Sequence, residues 1–202
     1  MKQNLKARVG PCLLEGDFVR LEPLRPEHSQ AITEAAGLTD WTFTLGTLET
    51  APDVDRRIAD GLEAEAKDEA YAFAVRLRNG GRVVGSTCYL AVSSKHRRTE
   101  IGATWYARDV WGTAVNPECK YLLLRHAFED WGAVRVQLVT GIDNAHSQRA
   151  IVKLGAKFEG TLRNYGIRTD GSPRPAAMVY SIIDSEWRTI KPKLEARIHS
   201  FE

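Results

Sequence analysis

Apolar and polar positions alternate along this chain in two rhythms. From Tyr71 to Leu77, Tyr71, Phe73, Val75 and Leu77 take every second place, with Ala72, Ala74 and Arg76 between them; a period of two is that of a strand with one face inward. Asn79-Gly80-Gly81 follows, residues that accept positive φ in a tight turn, so Arg82 to Tyr89 reads as the returning strand of a hairpin. Asp17 to Leu21 alternates in the same way near the start. After the basic turn Lys95-His96-Arg97-Arg98, Thr99 to Tyr106 reads as a further strand, the fourth. The middle of the chain is therefore expected to be an antiparallel meander.

Beyond it the rhythm lengthens. Leu124, Ala127, Phe128 and Trp131 fall at i, i+3, i+4 and i+7, an apolar stripe on one helix face. Arg135 to Thr140 is a short Val-containing strand, the fifth. Ser147, Ala150, Ile151 and Leu154 resume the helical spacing, and Gly155 suits the left-handed position just past a helix end. Lys157 to Arg163 and Ala176 to Ile182 are two more strands about the turn Thr169-Asp170-Gly171-Ser172. Earlier, Pro26 opens a helix that Gly37 ends, and Thr50 caps another with Asp53 three places on, running to about Lys67. Leu38 to Ala51, with Trp41, Phe43 and Leu45, keeps no period and is expected to be a partly buried loop. Trp187, Ile190, Leu194 and Ile198 space a last helix around Pro192, predicted to pack on the sheet or on a second copy. A meander followed by helix, strand, helix and strand makes a mixed sheet flanked by helices, an α/β or α+β fold.

At 202 residues the chain suits one domain; residues 1–12 are expected to be an arm and 13–202 a single domain. Lysine and arginine number 28 against 26 aspartate and glutamate, a balance that argues against disorder and against direct nucleic-acid binding. No apolar run is long enough to span a membrane, and the basic stretch Met1 to Arg8 leads into no apolar signal segment. The three cysteines are few, odd in number and scattered, as expected in a reducing cytoplasm rather than in a disulfide framework.

Two loop-to-helix junctions carry the candidate chemistry. In Trp111-Gly112-Thr113-Ala114-Val115-Asn116-Pro117-Glu118, Asn116 is expected to cap a helix with Pro117 at its first position, and the small residues before it let backbone amides approach a ligand. Unsatisfied amides at a helix start suit an anion such as a pyrophosphate. In Asp143-Asn144-Ala145-His146-Ser147, Asn144 is expected to cap the next helix, with Ser147 one turn in. If the fourth and fifth strands are parallel neighbours, both junctions face one crevice. The plainer reading is two ordinary capped helices.

The chain resembles the GCN5-related N-acetyltransferases (GNAT), in particular the ribosomal-protein N-terminal acetyltransferase (RimJ/RimL-like) branch. The resemblance rests on Val19-Arg20-Leu21-Glu22-Pro23-Leu24, Glu100-Ile101-Gly102-Ala103-Thr104-Trp105, the loop Trp111 to Glu118, Asn144-Ala145-His146-Ser147, Lys153-Leu154-Gly155-Ala156 and Phe158-Glu159-Gly160, in that order. It implies a mostly antiparallel sheet of six to seven strands with a V-shaped gap between the fourth and fifth, and acetyl-coenzyme A bound there as acetyl donor without a metal. The family's phosphate loop, Q/R-x-x-G-x-G/A, falls on Trp111, Gly112, Thr113, Ala114, Val115 and Asn116, with Trp111, Ala114 and Asn116 departing from it. Asn144 matches a residue that contacts the pantetheine arm. Thr104, Trp105 and Tyr106 mark the strand that offers backbone N–H groups to the thioester. The tyrosine that many relatives use to protonate the leaving thiolate is missing near Ile151, which leaves Ser147 for that role.

The implied reaction moves an acetyl group directly to an amine, which must be neutral to attack. An α-amine, with a pKa of roughly 8, needs only a modest base; Glu100 is the candidate, directly or through a water, with the alternative that it merely pairs with Arg97 or Arg98. The acceptor is a protein N-terminus or a small-molecule amine, bordered by Leu38 to Ala51 and by Asn164 to Arg174, where Arg163, Arg168 and Arg174 hint at an anionic partner. A non-catalytic module that senses acyl-coenzyme A or docks on RNA is the rival class. A nucleophilic Cys119 near a helix start is a further alternative, and a homodimer is possible.

Overall fold

The computed structural model describes residues 8–43, 46–167, 171–173 and 176–201. Eight strands form one sheet: β1 (Leu14–Glu15), β2 (Val19–Pro23), β3 (Tyr71–Leu77), β4 (Val83–Ser93), β5 (Arg98–Tyr106), β6 (Arg135–Gly141), β7 (Lys157–Arg163) and β8 (Ala176–Ile183). Their order is β1-β2-β3-β4-β5-β6-β8-β7. Every neighbouring pair is antiparallel except β5 and β6. The mixed fold is as expected, but eight strands replace the predicted six to seven, because the two-residue β1 pairs with β2 through Leu14 and Leu21. A two-residue strand has no alternation to detect.

The hairpin turn is as predicted, with Gly80 and Gly81 at φ 75° and 66°, where a side chain would be strained. Five helices flank the sheet: α1 (Ser29–Ala36), α2 (Ala51–Ala66), α3 (Val115–Arg125), α4 (Ala145–Lys153) and α5 (Asp184–His199). Thr50 caps α2, its hydroxyl accepting from the Asp53 amide at 3.3 Å while Asp53 reaches back to the Thr50 amide at 3.2 Å. Alternation sorts the core into two faces. Leu21, Phe73, Val75 and Tyr89 pack with Leu122, Leu123 and Trp187 of α3 and α5. Ala74 and Val83 pack with Ile32, Val54 and Ile58 of α1 and α2. Each such apolar side chain, once buried, contributes about 1.5–3 kcal/mol. Helix α5 runs through Pro192 and settles within the chain: Trp187 stacks on Phe128 at 5.5 Å and Tyr121 donates to Glu195 at 2.6 Å.

Helix α3 holds the N-terminal strands in place. Glu118, an acidic residue of the first turn, is 2% exposed. Its carboxylate accepts the backbone N–H groups of Asp17, Phe18 and Val19 at 2.8, 2.8 and 2.7 Å. Beyond Arg125 the helix widens into a π turn, His126–Trp131, which Gly132 ends at φ 73°.

Candidate active site

Strands β5 and β6 run parallel but face each other over three pairs only: Arg98 with Arg135, Thr99 with Val136 and Glu100 with Gln137. Past Glu100 they separate, and a wedge opens between them. The separation has a local cause. The β4–β5 register shifts between Ser86 and Cys88, where Ala103 takes φ 47°, a positive-φ bulge that bends a strand and sharpens its twist. Ala103 is exposed in the middle of the sheet, which places its backbone on the open wedge. Gly102 beside it is the sequence signal for this bulge, since glycine inside a strand often marks one.

Glu100 stands at the closed end of the wedge. Gln137 donates to its carboxylate at 3.0 Å, a partner that replaces the arginines considered from sequence. Burial pushes the Glu100 carboxyl up, and the Gln137 hydrogen bond opposes this in part. A Cβ on Gly102 would lie 2.8 Å from Glu100 Oε1, so the missing side chain is what lets the carboxylate lean along β5 toward the bulge.

The loop after β5 forms the first rim. Trp111, Gly112 and Thr113 are exposed, whereas Ala114 and Val115 are buried. Gly112 sits at φ 78° with open space where a Cβ would be, so its backbone is bare to an incoming group. Helix α3 starts at Val115, and Asn116 is not its cap. The Thr113 hydroxyl accepts the Val115 amide at 3.3 Å instead and donates to the Val110 carbonyl at 2.7 Å. Proline fits anywhere in a first turn, where the amides lack helical partners, so Pro117 did not fix the boundary.

The loop after β6 forms the second rim. Asn144 caps α4 as predicted, its Oδ1 accepting the Ser147 amide at 2.9 Å, and Ser147 is half-buried in the first turn. Because β5 and β6 are parallel, the starts of α3 and α4 lie at the same end of the sheet. The rims touch: Trp111 and His146 stack with ring centres 5.6 Å apart and planes 18° apart. Arg108 lies 5.7 Å from the Trp111 ring centre, and Trp111 Nε1 donates to the Tyr106 carbonyl at 3.0 Å. Neither the stack nor Gln137 had a signal in one sequence, since each joins residues far apart in the chain.

The three residues after the bulge go separate ways. Thr104 turns to the α3 side, where its Oγ1 lies 2.7 Å from the Thr87 hydroxyl and accepts from Lys120 Nζ at 2.5 Å. Lys120 is 6% exposed, and burial brings its ammonium down to about 8. Tyr106 is buried, with the Cys119 thiol beside it. Cys119 lies in the body of α3, and burial pushes its thiol up to about 12, which removes the nucleophilic reading. Trp105 faces the α2 side and packs on Trp41 with ring centres 5.1 Å apart; Thr39 donates to the Tyr106 carbonyl at 3.4 Å. The start of the 38–51 loop thus lies along β5 on the face that carries Trp105. Leu45, Arg168, Thr169, Asp170 and Arg174 lie outside the described residues. Among the described residues no acidic, histidine or cysteine cluster suits a metal ion, and no helix is long and apolar enough to cross a membrane.

Residues 19–157 match the family model described as acetyltransferase (GNAT) domain. The uncharacterized N-acetyltransferase YoaA of Bacillus subtilis (strain 168) is 25% identical over 173 residues, spanning 85% of this chain and 96% of that protein. A crystal structure from T. thermophilus assigned as an acetyltransferase is 35% identical with a TM-score of 0.82, covering 93% of this chain and 97% of the other. Mycobacterium smegmatis RimJ in complex with CoA-disulfide, 18% identical, shares the fold with a TM-score of 0.78 over 94% of this chain and 96% of its own.

Proposed function

Because the chain belongs to the GNAT acetyltransferase family and is an acyl-CoA-dependent acetyltransferase, we propose that it transfers acetyl from acetyl-coenzyme A to an α-amine, that of a protein N-terminus. The observation that carries this reading is the wedge that opens just beyond the Glu100–Gln137 pair, with both helix starts at its mouth. The residues present fit the donor. Bare backbone at Gly112 and the start of α3 suit a pyrophosphate through amides and helix dipole, and the open edge of β5 suits an extended amide arm. Acetyl-coenzyme A, when bound, supplies the activated acetyl group; the chain's own groups do the rest.

Glu100 takes the proton of the attacking amine. A base of raised pKa is closer in strength to an amine than an ordinary carboxylate is, which favours that transfer. An α-amine is partly neutral near pH 8 whereas a lysine amine is not, so a single carboxylate base favours the former. Backbone N–H groups of Ala103 to Tyr106 polarise the thioester carbonyl and stabilise the oxyanion. Ser147 donates to the departing sulfur, with Asn144 fixing its backbone. The M. smegmatis RimJ match, a protein complexed with CoA-disulfide, supports the donor class; the acceptor rests on the base.

Thiol release from acetyl-coenzyme A in the presence of peptides with free N-termini, Nα-blocked lysine peptides and small amines tests the reading. We expect release with free N-termini and little with blocked peptides; preference for the blocked lysines or the small amines refutes the acceptor assignment. Glu100→Gln is expected to lower kcat by about 10²-fold or more with coenzyme A affinity nearly unchanged. Unaltered turnover at saturating substrate removes Glu100 from the mechanism.

A further inference from the structure

On the α3 side of the sheet, away from the wedge, three titratable side chains stand in line. Cys12 Sγ lies 3.4 Å from His126 Nε2, and the opposite ring nitrogen, Nδ1, lies 2.7 Å from Asp130 Oδ2. His126 is fully buried, whereas the Asp130 side chain is 48% exposed and Cys12 is half-buried. His126 and Asp130 share the π turn and Cys12 comes from the N-terminal segment, so the line forms only when that segment lies down on the sheet.

The ring is held from both sides. The Asp130 carboxylate only accepts, so Nδ1 donates to it. The opposite nitrogen, Nε2, faces both the Val9 carbonyl at 2.9 Å and the Cys12 sulfur. Asp130 thus orients the ring, and the Cys12 sulfur sits against Nε2 and 3.7 Å from the Val9 carbonyl. A carboxylate-oriented imidazole against the sulfur is the arrangement that draws off a cysteine's proton and favours the thiolate, the reactive form. Among the described residues Tyr89 of β4 also faces the ring, 6.4 Å away, its hydroxyl donating to the Leu123 carbonyl at 2.5 Å. The other two cysteines make a contrast. Cys88 and Cys119 are 3% and 0% exposed, and burial raises both thiols.

We propose that Cys12, with His126 and Asp130, is a second reactive centre of this chain, a thiolate site modified by small hydroperoxides. The thiolate attacks the terminal peroxide oxygen; the S–O bond forms as the O–O bond breaks. The departing alkoxide, or hydroxide from hydrogen peroxide, takes the Nε2 proton of His126. Cysteine is oxidised by two electrons to a sulfenic acid, the peroxide is reduced to alcohol or water with the proton the thiol gave up, and the ring is left neutral.

The experiment exposes the full-length protein to dilute hydrogen peroxide with dimedone present to trap sulfenic acid, followed by peptide mapping. We expect the adduct on Cys12 and none on Cys88 or Cys119. Alkylation of Cys12 by iodoacetamide should change little between about pH 6 and 8, whereas an ordinary thiol slows about tenfold per unit below its pKa. Asp130→Asn, at a half-exposed position, should restore that ordinary slope while circular dichroism stays native. An ordinary slope in the wild type, absence of the adduct, or identical rates in Asp130→Asn overturns the proposal. If Asp130→Asn does not fold, the wild-type slope decides alone. None of these readouts depends on acetyl transfer.

Discussion

Replacing Glu118 by glutamine exchanges one carboxylate oxygen for an NH₂ group and leaves the side chain's volume almost unchanged. One oxygen of the native carboxylate serves the Asp17 amide and the other serves Phe18 and Val19. The better arrangement for glutamine puts its carbonyl at the second position, so that the Asp17 N–H meets another donor. One charge-assisted hydrogen bond is lost, the part-buried Asp17 N–H meets a donor, and two bonds weaken to neutral ones. With a charged hydrogen bond contributing about 1.5–3 kcal/mol and two more weakened, the loss is about 2–4 kcal/mol. Against a typical stability of about 5–15 kcal/mol, this is a large fraction. Urea denaturation followed by tryptophan fluorescence should show the midpoint falling by about 1 M or more with little change in slope. Gly16→Ala offers a second arm, because a Cβ there runs into the Glu118 carboxyl; both changes strike one contact, so the double variant should lose less than the sum of the singles. A loss under about 1 kcal/mol for Glu118→Gln would refute the claim that this carboxylate anchors the N-terminal strands to α3.

Three further outcomes follow from the site. Gln137→Leu removes the hydrogen bond that favours charged Glu100, so the carboxyl rises further and the acid limb of kcat/KM should move to higher pH; a limb that stays in place or falls contradicts the assignment. Gly102→Ala pushes the Glu100 carboxylate aside and should depress kcat while coenzyme A affinity, read by calorimetry, holds; equal turnover would count against a lean toward the bulge. Lys120 binds its proton more weakly folded, at about 8, than its ordinary value of 10.5, so the unfolded chain holds more protons between these values and this group's contribution to stability rises with pH across that window, by about 3 kcal/mol in all. Lys120→Met should lose that rise, read from urea midpoints across the window; an unchanged pH profile would refute a buried, weakened ammonium.

Alternation and helical spacing carried most of the architecture because each element keeps one face in the core. The hairpin at Gly80-Gly81, the cap at Thr50, the cap at Asn144 and the left-handed Gly155 at φ 93° all stand where local chemistry puts them. Boundaries were less legible. Helix α3 begins at Val115 with Ala114 at its cap position, two residues before Asn116, which local chemistry favours there. The active-site frame was readable as two helix starts on parallel strands. What closes it was not: Gln137 on Glu100, Lys120 on Thr104 and His146 on Trp111 are meetings across the fold, and one sequence records no distances between segments. Cys12 carried no local signal either, since its imidazole comes from more than a hundred residues away.

The three facing pairs between β5 and β6 also set the mechanics of the molecule. A sheet resists bending through rungs spread along its length, but here five strands on one side and three on the other share a seam at Arg98 to Glu100. The Val134 amide donating to the Arg97 carbonyl at 2.8 Å reinforces that end, while the opposite end is spanned by a ring stack. Two stiff leaves on a short hinge concentrate their compliance at the seam, so a guest lying in the wedge stands in for the missing rungs. Rigidity of the whole sheet is then a property of the loaded enzyme, and amide exchange along the free edges of β5 and β6 registers its arrival.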